Sequence, residues 1–115
     1  MRVIDDTSPF IPEINPEKVR HIAALARELL AGDEEEADTS VSAELEQFLA
    51  DLDEDETAAV VALLWVGRGD YDIVDWPEAL RQARARRQTP IARYLLGEPL
   101  LPDFLEDALA AFGES

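Results

Sequence analysis

Apolar side chains recur every three or four positions along most of the chain, the spacing that places them on one face of an α-helix. The first stripe follows Asn15 and Pro16, two residues that favour a helix N-terminus. Its members are Val19, Ile22, Ala23, Ala26, Leu29 and Leu30. Gly32 then offers a C-terminal stop. The pattern predicts a first helix between residues 15 and 32.

The segment 58–66 is apolar at every position. A helix that is apolar all round must be buried on all sides. Val60 and Val61 are β-branched and also suit a strand. However, Asp53 is a good N-cap with Glu56 at the capping-box position, and the segment is rich in alanine. We therefore predict a buried central helix over about 54–66, ended by Gly67 and Gly69.

Shorter stripes predict the remaining helices. A second helix is expected after Ser40 or Ser42, and a fourth after Asp75, which is the expected N-cap. A fifth is expected from Thr89-Pro90 and a sixth from about Pro102. The inward positions of the fourth are Trp76, Ala79, Leu80 and Ala83. The predicted fold class is all-α, a compact bundle of five to six short helices around the central one.

Two segments fall outside this helical pattern. Residues 1–14 contain Pro9 and Pro12, which predict an irregular arm, and its apolar residues predict that the arm packs on the domain. Residues 33–41 are acidic and polar and predict a loop. The rest, 15–115, is expected to form one helical domain, because 115 residues without a long linker are typical of a single domain.

Charge narrows the choice of partner. The chain carries 26 acidic and 10 basic residues, a net charge of -16, and residues 28–67 hold thirteen acids and no base. Such a surface repels nucleic acid and anionic membranes. No apolar run reaches the ~18 residues of a membrane span. The lack of cysteine and of a signal-peptide pattern favours the cytoplasm.

Three stretches resemble a known family. They are Trp65-Val66-Gly67-Arg68-Gly69-Asp70-Tyr71, the following Asp75-Trp76, and Tyr94-Leu95-Leu96-Gly97-Glu98-Pro99-Leu100-Leu101. Together with Leu63-Leu64-Trp65 and an opening Ile14-Asn15-Pro16-Glu17-Lys18-Val19, they resemble the bacterial family of small uncharacterised proteins catalogued as domain of unknown function 3775. The resemblance spans about residues 14–113. It implies one helical domain in the bacterial cytoplasm and brings no activity, cofactor or catalytic residue.

The turn at 67–76 and the arginine-flanked helix after it form the candidate partner-binding surface. Its predicted residues are Trp65, Arg68, Asp70, Tyr71, Asp75, Trp76, Arg84 and Arg87. Tryptophan, tyrosine and arginine are common anchors of protein interfaces. The structural alternative is that the glycines adopt positive φ, Asp75 caps a helix, Arg68 pairs with Asp70, and the arginines pair with the chain's own acids.

Catalytic and metal sites have little support in the sequence. His21 is the single imidazole and is expected at the surface, so a typical zinc site or Cys–His pair cannot form. Counted from Asp70, calcium-loop positions 5, 6 and 12 are Val74, Asp75 and Arg81, which do not fit an EF-hand. Divalent ions at 33–38 or 51–56 remain an unspecific alternative. We expect no cofactor and no metal site.

Three functional hypotheses follow. The leading one is a non-enzymatic protein-interaction or regulatory module that binds a protein partner or a second copy of itself. The first alternative is an acidic mimic of nucleic acid that binds a basic protein, motivated by the charge of -16. The second is a divalent-metal-dependent regulator or enzyme.

Overall fold

The structure is a computed structural model that describes residues 13–31, 39–86 and 91–113. Within these residues the chain forms six α-helices and no strand, which confirms the predicted all-α class. The helices are α1 (Pro16–Ala31), α2 (Thr39–Ala50), α3 (Glu54–Arg68), α4 (Trp76–Ala85), α5 (Ile91–Leu96) and α6 (Leu101–Ala111). A short 3-10 turn over Ile73–Asp75 leads directly into α4.

Helix α3 is the centre of the bundle. Its residues 58–64 and 66 are all buried, and it packs against α6 on one side and α4 on another. Helix α1 packs against α6 and α2, and α2 also contacts α5. One hydrophobic core therefore runs from Ile14 to Leu109 through all six helices. The burial of α3 confirms the central position predicted from its uninterrupted apolar sequence.

Local sequence signals set several helix ends as predicted. The Asn15 side chain accepts a hydrogen bond from the Glu17 amide at 2.8 Å, which caps α1. At α3, the Glu56 amide donates to Asp53 Oδ1 at 2.8 Å, and the Asp53 amide donates to Glu56 Oε1 at 3.0 Å. This reciprocal capping box satisfies two backbone donors that the first turn leaves unpaired.

The central helix ends two residues later than predicted. Gly69 has φ 93°, and its amide donates to the Val66 carbonyl at 3.0 Å while the Asp70 amide donates to the Trp65 carbonyl at 2.8 Å. These two bonds form a Schellman motif, which requires a left-handed residue after the helix. Gly67 is not the stop that was predicted and instead lies inside the last turn of α3.

The predicted start of α2 is wrong, and that of α4 is confirmed in position only. Helix α2 begins at Thr39, so Ser40 and Ser42 lie inside it and the expected loop over 33–41 ends earlier. Several neighbouring Asp, Thr and Ser residues suit an N-cap there, and the sequence does not select among them. Asp75 occupies the N-cap position of α4 as predicted, but its side chain makes no capping hydrogen bond. Its amide donates to the Asp72 carbonyl at 2.9 Å within the 3-10 turn.

Parts of the predicted organisation fall outside the described residues. These are the arm up to residue 12, the acidic segment 32–38 with the Gly32 stop, and the start of the fifth helix at Thr89-Pro90. Of the arm, only Glu13 and Ile14 are described, and Ile14 is buried in the core.

Candidate functional site

An open recess lies where α3 ends and faces α4 and α5. It has a volume of about 570 Å³. Its lining consists of Trp65, Arg68, Asp70, Tyr71, Gln82, Ala85, Arg86 and Tyr94. Four of the eight predicted site residues (Trp65, Arg68, Asp70 and Tyr71) therefore meet at one place. We call this feature the aromatic recess, after the rings of Trp65, Tyr71 and Tyr94.

The three rings are held together by one hydrogen bond and one ring contact. The indole Nε1–H of Trp65 donates to the hydroxyl of Tyr94 at 2.8 Å. The Trp65 and Tyr71 ring centroids are 5.8 Å apart, with the planes tilted by 31°. All three side chains are half-buried. The hydrogen bond satisfies the polar ends of two large rings, so their apolar bodies line the recess in a fixed arrangement.

Arg68 lies at the edge of the recess and pairs with two carboxylates. Its Nε and Nη2 donate to Asp70 Oδ2 at 3.0 and 2.6 Å, and its Nη1 lies 3.5 Å from Glu98 Oε1. The hydrogen bond with Asp70 is the main cause that raises the pKa of Arg68 above its ordinary value. The local pairing of Arg68 with Asp70 is confirmed. The Arg68 guanidinium thus links the end of α3 to Asp70 in the following turn and to Glu98 after α5.

Arg86 is the second guanidinium of the recess and has a different environment. It is the C-cap residue of α4, and its Cζ lies 3.8 Å from the centroid of the Tyr94 ring. This is a cation–π distance. Among the described residues, no carboxylate lies within ion-pair distance of Arg86, although the chain has far more acids than bases. Within the described part of the chain, the Tyr94 ring is the contact that stabilises the charge of Arg86.

Arg86 and Tyr94 were missed as site residues. Tyr94 lies 29 positions after Trp65, and the two meet only because α5 returns to the end of α3. Helical periodicity places a residue on a face of its own helix and carries no information about such a distant contact. The one signal for Tyr94 was its position at the start of the family-like stretch 94–101, which did not assign it to the site.

Trp76, a predicted anchor, lies elsewhere. Its side chain is only 9% exposed, and its ring meets Phe112 edge to face at a centroid distance of 5.1 Å. Its Nε1–H donates to Glu13 Oε1 at 3.2 Å. The structure thus confirms the inward orientation predicted for Trp76 and separates it from the recess. It joins the start of α4 to the end of α6.

The other predicted residues do not line the recess. Asp75 borders a neighbouring depression beside the 3-10 turn, which shares Asp70 and Tyr71 with the recess. Arg84 Nη2 donates to Asp55 at 2.9 Å and lines a second cavity of about 610 Å³, whose lining also includes Arg86. Arg81 pairs with Glu78 at 2.7 Å. Pairing of α4 arginines with the chain's own acids is confirmed at both positions, whereas Arg87 lies outside the described residues.

The residue types that ligate metals do not cluster in the described part of the chain. Within residues 13–30, 41–86 and 91–113, no three His, Cys, Asp or Glu side chains come together as a metal site would require. His21 is exposed, with its Nε2 3.9 Å from Glu44 and its ring against Phe48 at 4.7 Å. The acidic segment 33–38 lies outside the described residues.

These features define an acidic, all-α protein with an aromatic recess at one end of its central helix. The chain belongs to the family described as Protein of unknown function (DUF3775), whose sequence profile matches residues 42–114. The match includes α3 to α6 and every residue of the recess. The matched range is shorter than the predicted resemblance over about residues 14–113, since it does not include α1.

No curated protein and no solved structure matches the chain significantly. None of the helices in the described residues has both the length and the apolar composition needed to cross a membrane.

Proposed function

We propose that the chain is a non-enzymatic protein-interaction module whose docking surface is the aromatic recess. The observation that carries this proposal is the arrangement of Trp65, Tyr71 and Tyr94 in an open recess beside two arginines. Aromatic and arginine side chains in partly desolvated pockets are the usual energetic centres of interfaces. Prior fixing of the rings by a hydrogen bond lowers the ordering cost of binding.

The net charge of -16 selects the kind of partner. A field of this sign draws in basic proteins and repels acidic ones, so the partner has a basic surface. The setting that we propose is the bacterial cytoplasm, which the family resemblance and the cysteine-free composition favour.

Affinity capture from a native extract with tagged variants tests this proposal. The full chain captures a basic protein, and Tyr71→Ala reduces the captured amount at least tenfold while circular dichroism shows an intact fold. Arg81→Ala, at an exposed α4 residue that pairs with Glu78 and does not line the recess, is the matched control and retains capture. Equal capture by Tyr71→Ala and Arg81→Ala would exclude the recess as the docking surface.

A second candidate is the acidic mimic of nucleic acid. It is favoured by the stretch 28–67, which holds thirteen acids and no base. In that case binding depends on total charge and weakens steeply with added salt. Glu44→Gln combined with Glu46→Gln on α2 would then reduce capture, and Tyr71→Ala would not. The interaction module predicts the reverse order, with a partner that remains bound at high salt.

A further inference from the structure

We propose that the aromatic recess is a binding site for arginine side chains and that Arg86 is its internal occupant, which an arginine of the partner displaces. This inference rests on the proposed function and names the group that the docking surface recognises. The observation that motivates it is the stacking of the Arg86 guanidinium over the Tyr94 ring, with Cζ 3.8 Å from the ring centroid.

The recess has the chemistry of a guanidinium site. A planar guanidinium is weakly hydrated and stacks on aromatic faces, which a compact ammonium does less well. Here Tyr94 supplies the stacked face, and the rings of Trp65 and Tyr71 extend the aromatic wall. Arg86 shows that the recess accommodates this group within the folded chain.

The charges of the recess also favour a cation. Among the described residues, the charged side chains of the recess other than Arg86, together with their direct partners, are Arg68, Asp70 and Glu98, which carry one net negative charge. The charge of Arg68 is already paired with two carboxylates, which weakens its attraction for an anion. A second guanidinium restores neutrality, and the overall charge of -16 attracts it.

Arg86 is held in a way that permits its release. It is the C-cap of α4 with extended backbone angles (φ -78°, ψ 136°), so its side chain moves without unwinding a helical turn. Within the described residues it forms no ion pair, and the ring contact is its tie to the recess. A half-exposed cation–π contact of this kind is worth only a few-fold in affinity. A partner that adds interface contacts around its arginine therefore competes effectively.

The test uses the full 15N-labelled chain and a short neutral-backbone peptide, acetyl-Gly-Gly-Arg-Gly-Gly-amide. The indole N–H of Trp65, assigned with Trp65→Phe, reports on the recess. We expect saturable shifts of this resonance at millimolar peptide and movement of the Arg86 Nε–H signal away from its ring-shifted position. The peptide with citrulline in place of arginine keeps the shape and loses the charge, and is expected not to bind.

Variants separate displacement from simple charge effects. Arg86→Ala removes the internal occupant and is expected to bind the arginine peptide roughly two- to fivefold tighter, the factor that one exposed cation–π contact represents. Arg86→Gln serves as a second variant should the alanine variant fold poorly. Arg81→Ala makes the same change of charge on the same helix outside the recess, and is expected to change affinity less.

Three results would overturn the inference: an unchanged Trp65 indole signal in both wild type and Arg86→Ala, equal binding of the citrulline peptide, or the same affinity change in Arg86→Ala and Arg81→Ala. Other outcomes distinguish this inference from the proposed function. If Tyr71→Ala abolishes partner capture and the peptide does not bind, the recess is a docking surface that does not recognise arginine. If the peptide binds and Tyr71→Ala captures as much partner as the wild type, the recess binds arginine but is not the docking surface.

Discussion

Gly67 lies directly against the main chain of Phe104, where the last turn of α3 crosses α6. A β-carbon built on Gly67 would be 1.9 Å from the Phe104 carbonyl oxygen and 2.6 Å from its carbonyl carbon. Both atoms belong to backbone and cannot move aside as a flexible side chain would. The absence of a side chain at Gly67 therefore sets how closely α3 and α6 approach.

We predict that Gly67→Ala destabilises the protein by about 3 kcal/mol, the upper range for overpacking a well-packed contact. Urea unfolding followed by circular dichroism measures it. Gly97→Ala is the matched control, since its new β-carbon would meet only carbonyl oxygens at 3.4 and 3.5 Å. It should change the free energy of unfolding by less than about 1 kcal/mol. Similar effects at both positions would show that helix crossing does not depend on Gly67.

Gly69→Ala is also expected to destabilise the protein, but for a different reason. Nothing lies within 4 Å of a β-carbon at this position, but the residue has φ +93°. An alanine there pays the conformational penalty of the left-handed region, about 1 kcal/mol. Gly69→Asn should recover part of this loss, because asparagine tolerates the left-handed region better. Equal stability of the alanine and asparagine variants in urea unfolding would contradict this explanation.

The hydrogen bond between Trp65 and Tyr94 can be measured by a double-mutant cycle. Trp65→Phe and Tyr94→Phe each remove one partner of the 2.8 Å bond. We predict a coupling free energy of about 1 kcal/mol, typical of an intramolecular hydrogen bond between neutral groups. Tyr71→Phe with Tyr94→Phe is the control cycle and should show weaker coupling. Additive effects of the Trp65 and Tyr94 substitutions would mean that the bond does not order the recess.

Local features of the fold were predictable from sequence, and distant contacts were not. The Asn15 cap, the Asp53–Glu56 capping box and the Arg68–Asp70 pair each join residues within three positions of one another. Their residue types alone determine the geometry. The burial of α3 was equally predictable, because an apolar residue at every position leaves no face for solvent.

The start of α2 was wrong because several local residues suit the cap, whereas the errors at the site have a tertiary origin. Gly67 was predicted to end α3, but its role depends on the backbone of Phe104 in another helix. Trp76 was predicted both to face inward and to anchor a partner, and its contacts with Phe112 and Glu13 satisfy the first. Tyr94 reaches the recess through the return of α5. Each of these depends on tertiary packing, which a single sequence does not display.

Trp76 provides a test of the structural role assigned to it. Trp76→Phe keeps a ring against Phe112 and removes the donor to Glu13, so we expect a loss of about 1 kcal/mol in the free energy of unfolding. Trp76→Ala empties a largely buried position and should cost about 3 kcal/mol or more. Peptide binding at the recess should be unaffected by Trp76→Phe. A loss of peptide binding in this folded variant would return Trp76 to the binding surface.

The pair Lys18–Glu56 makes part of the stability depend on pH. Lys18 Nζ donates to Glu56 Oε2 at 2.5 Å, which joins α1 to the capping box of α3. This hydrogen bond, followed by the one from the Asp53 amide, holds the pKa of Glu56 below its ordinary value of 4.5. A carboxyl with a lowered folded-state pKa binds its proton more readily in the unfolded chain. Its stabilising contribution is therefore complete well above pH 4.5 and is lost as the pH falls through the folded-state pKa.

We predict that Glu56→Gln, which keeps the side-chain acceptor of the capping box and loses the charge, reduces stability at neutral pH by up to about 1 kcal/mol. The difference from wild type should shrink as the pH falls below 4.5, measured by urea unfolding at a series of pH values. Lys18→Met, which removes the other partner of the pair, should reduce the pH dependence of the free energy of unfolding in the same way. Glu46→Gln, an exposed position on α2, is the control and should change stability little. A Glu56→Gln difference that stays constant from neutral to acid pH would show that the contact with Lys18 does not stabilise the ionised carboxylate.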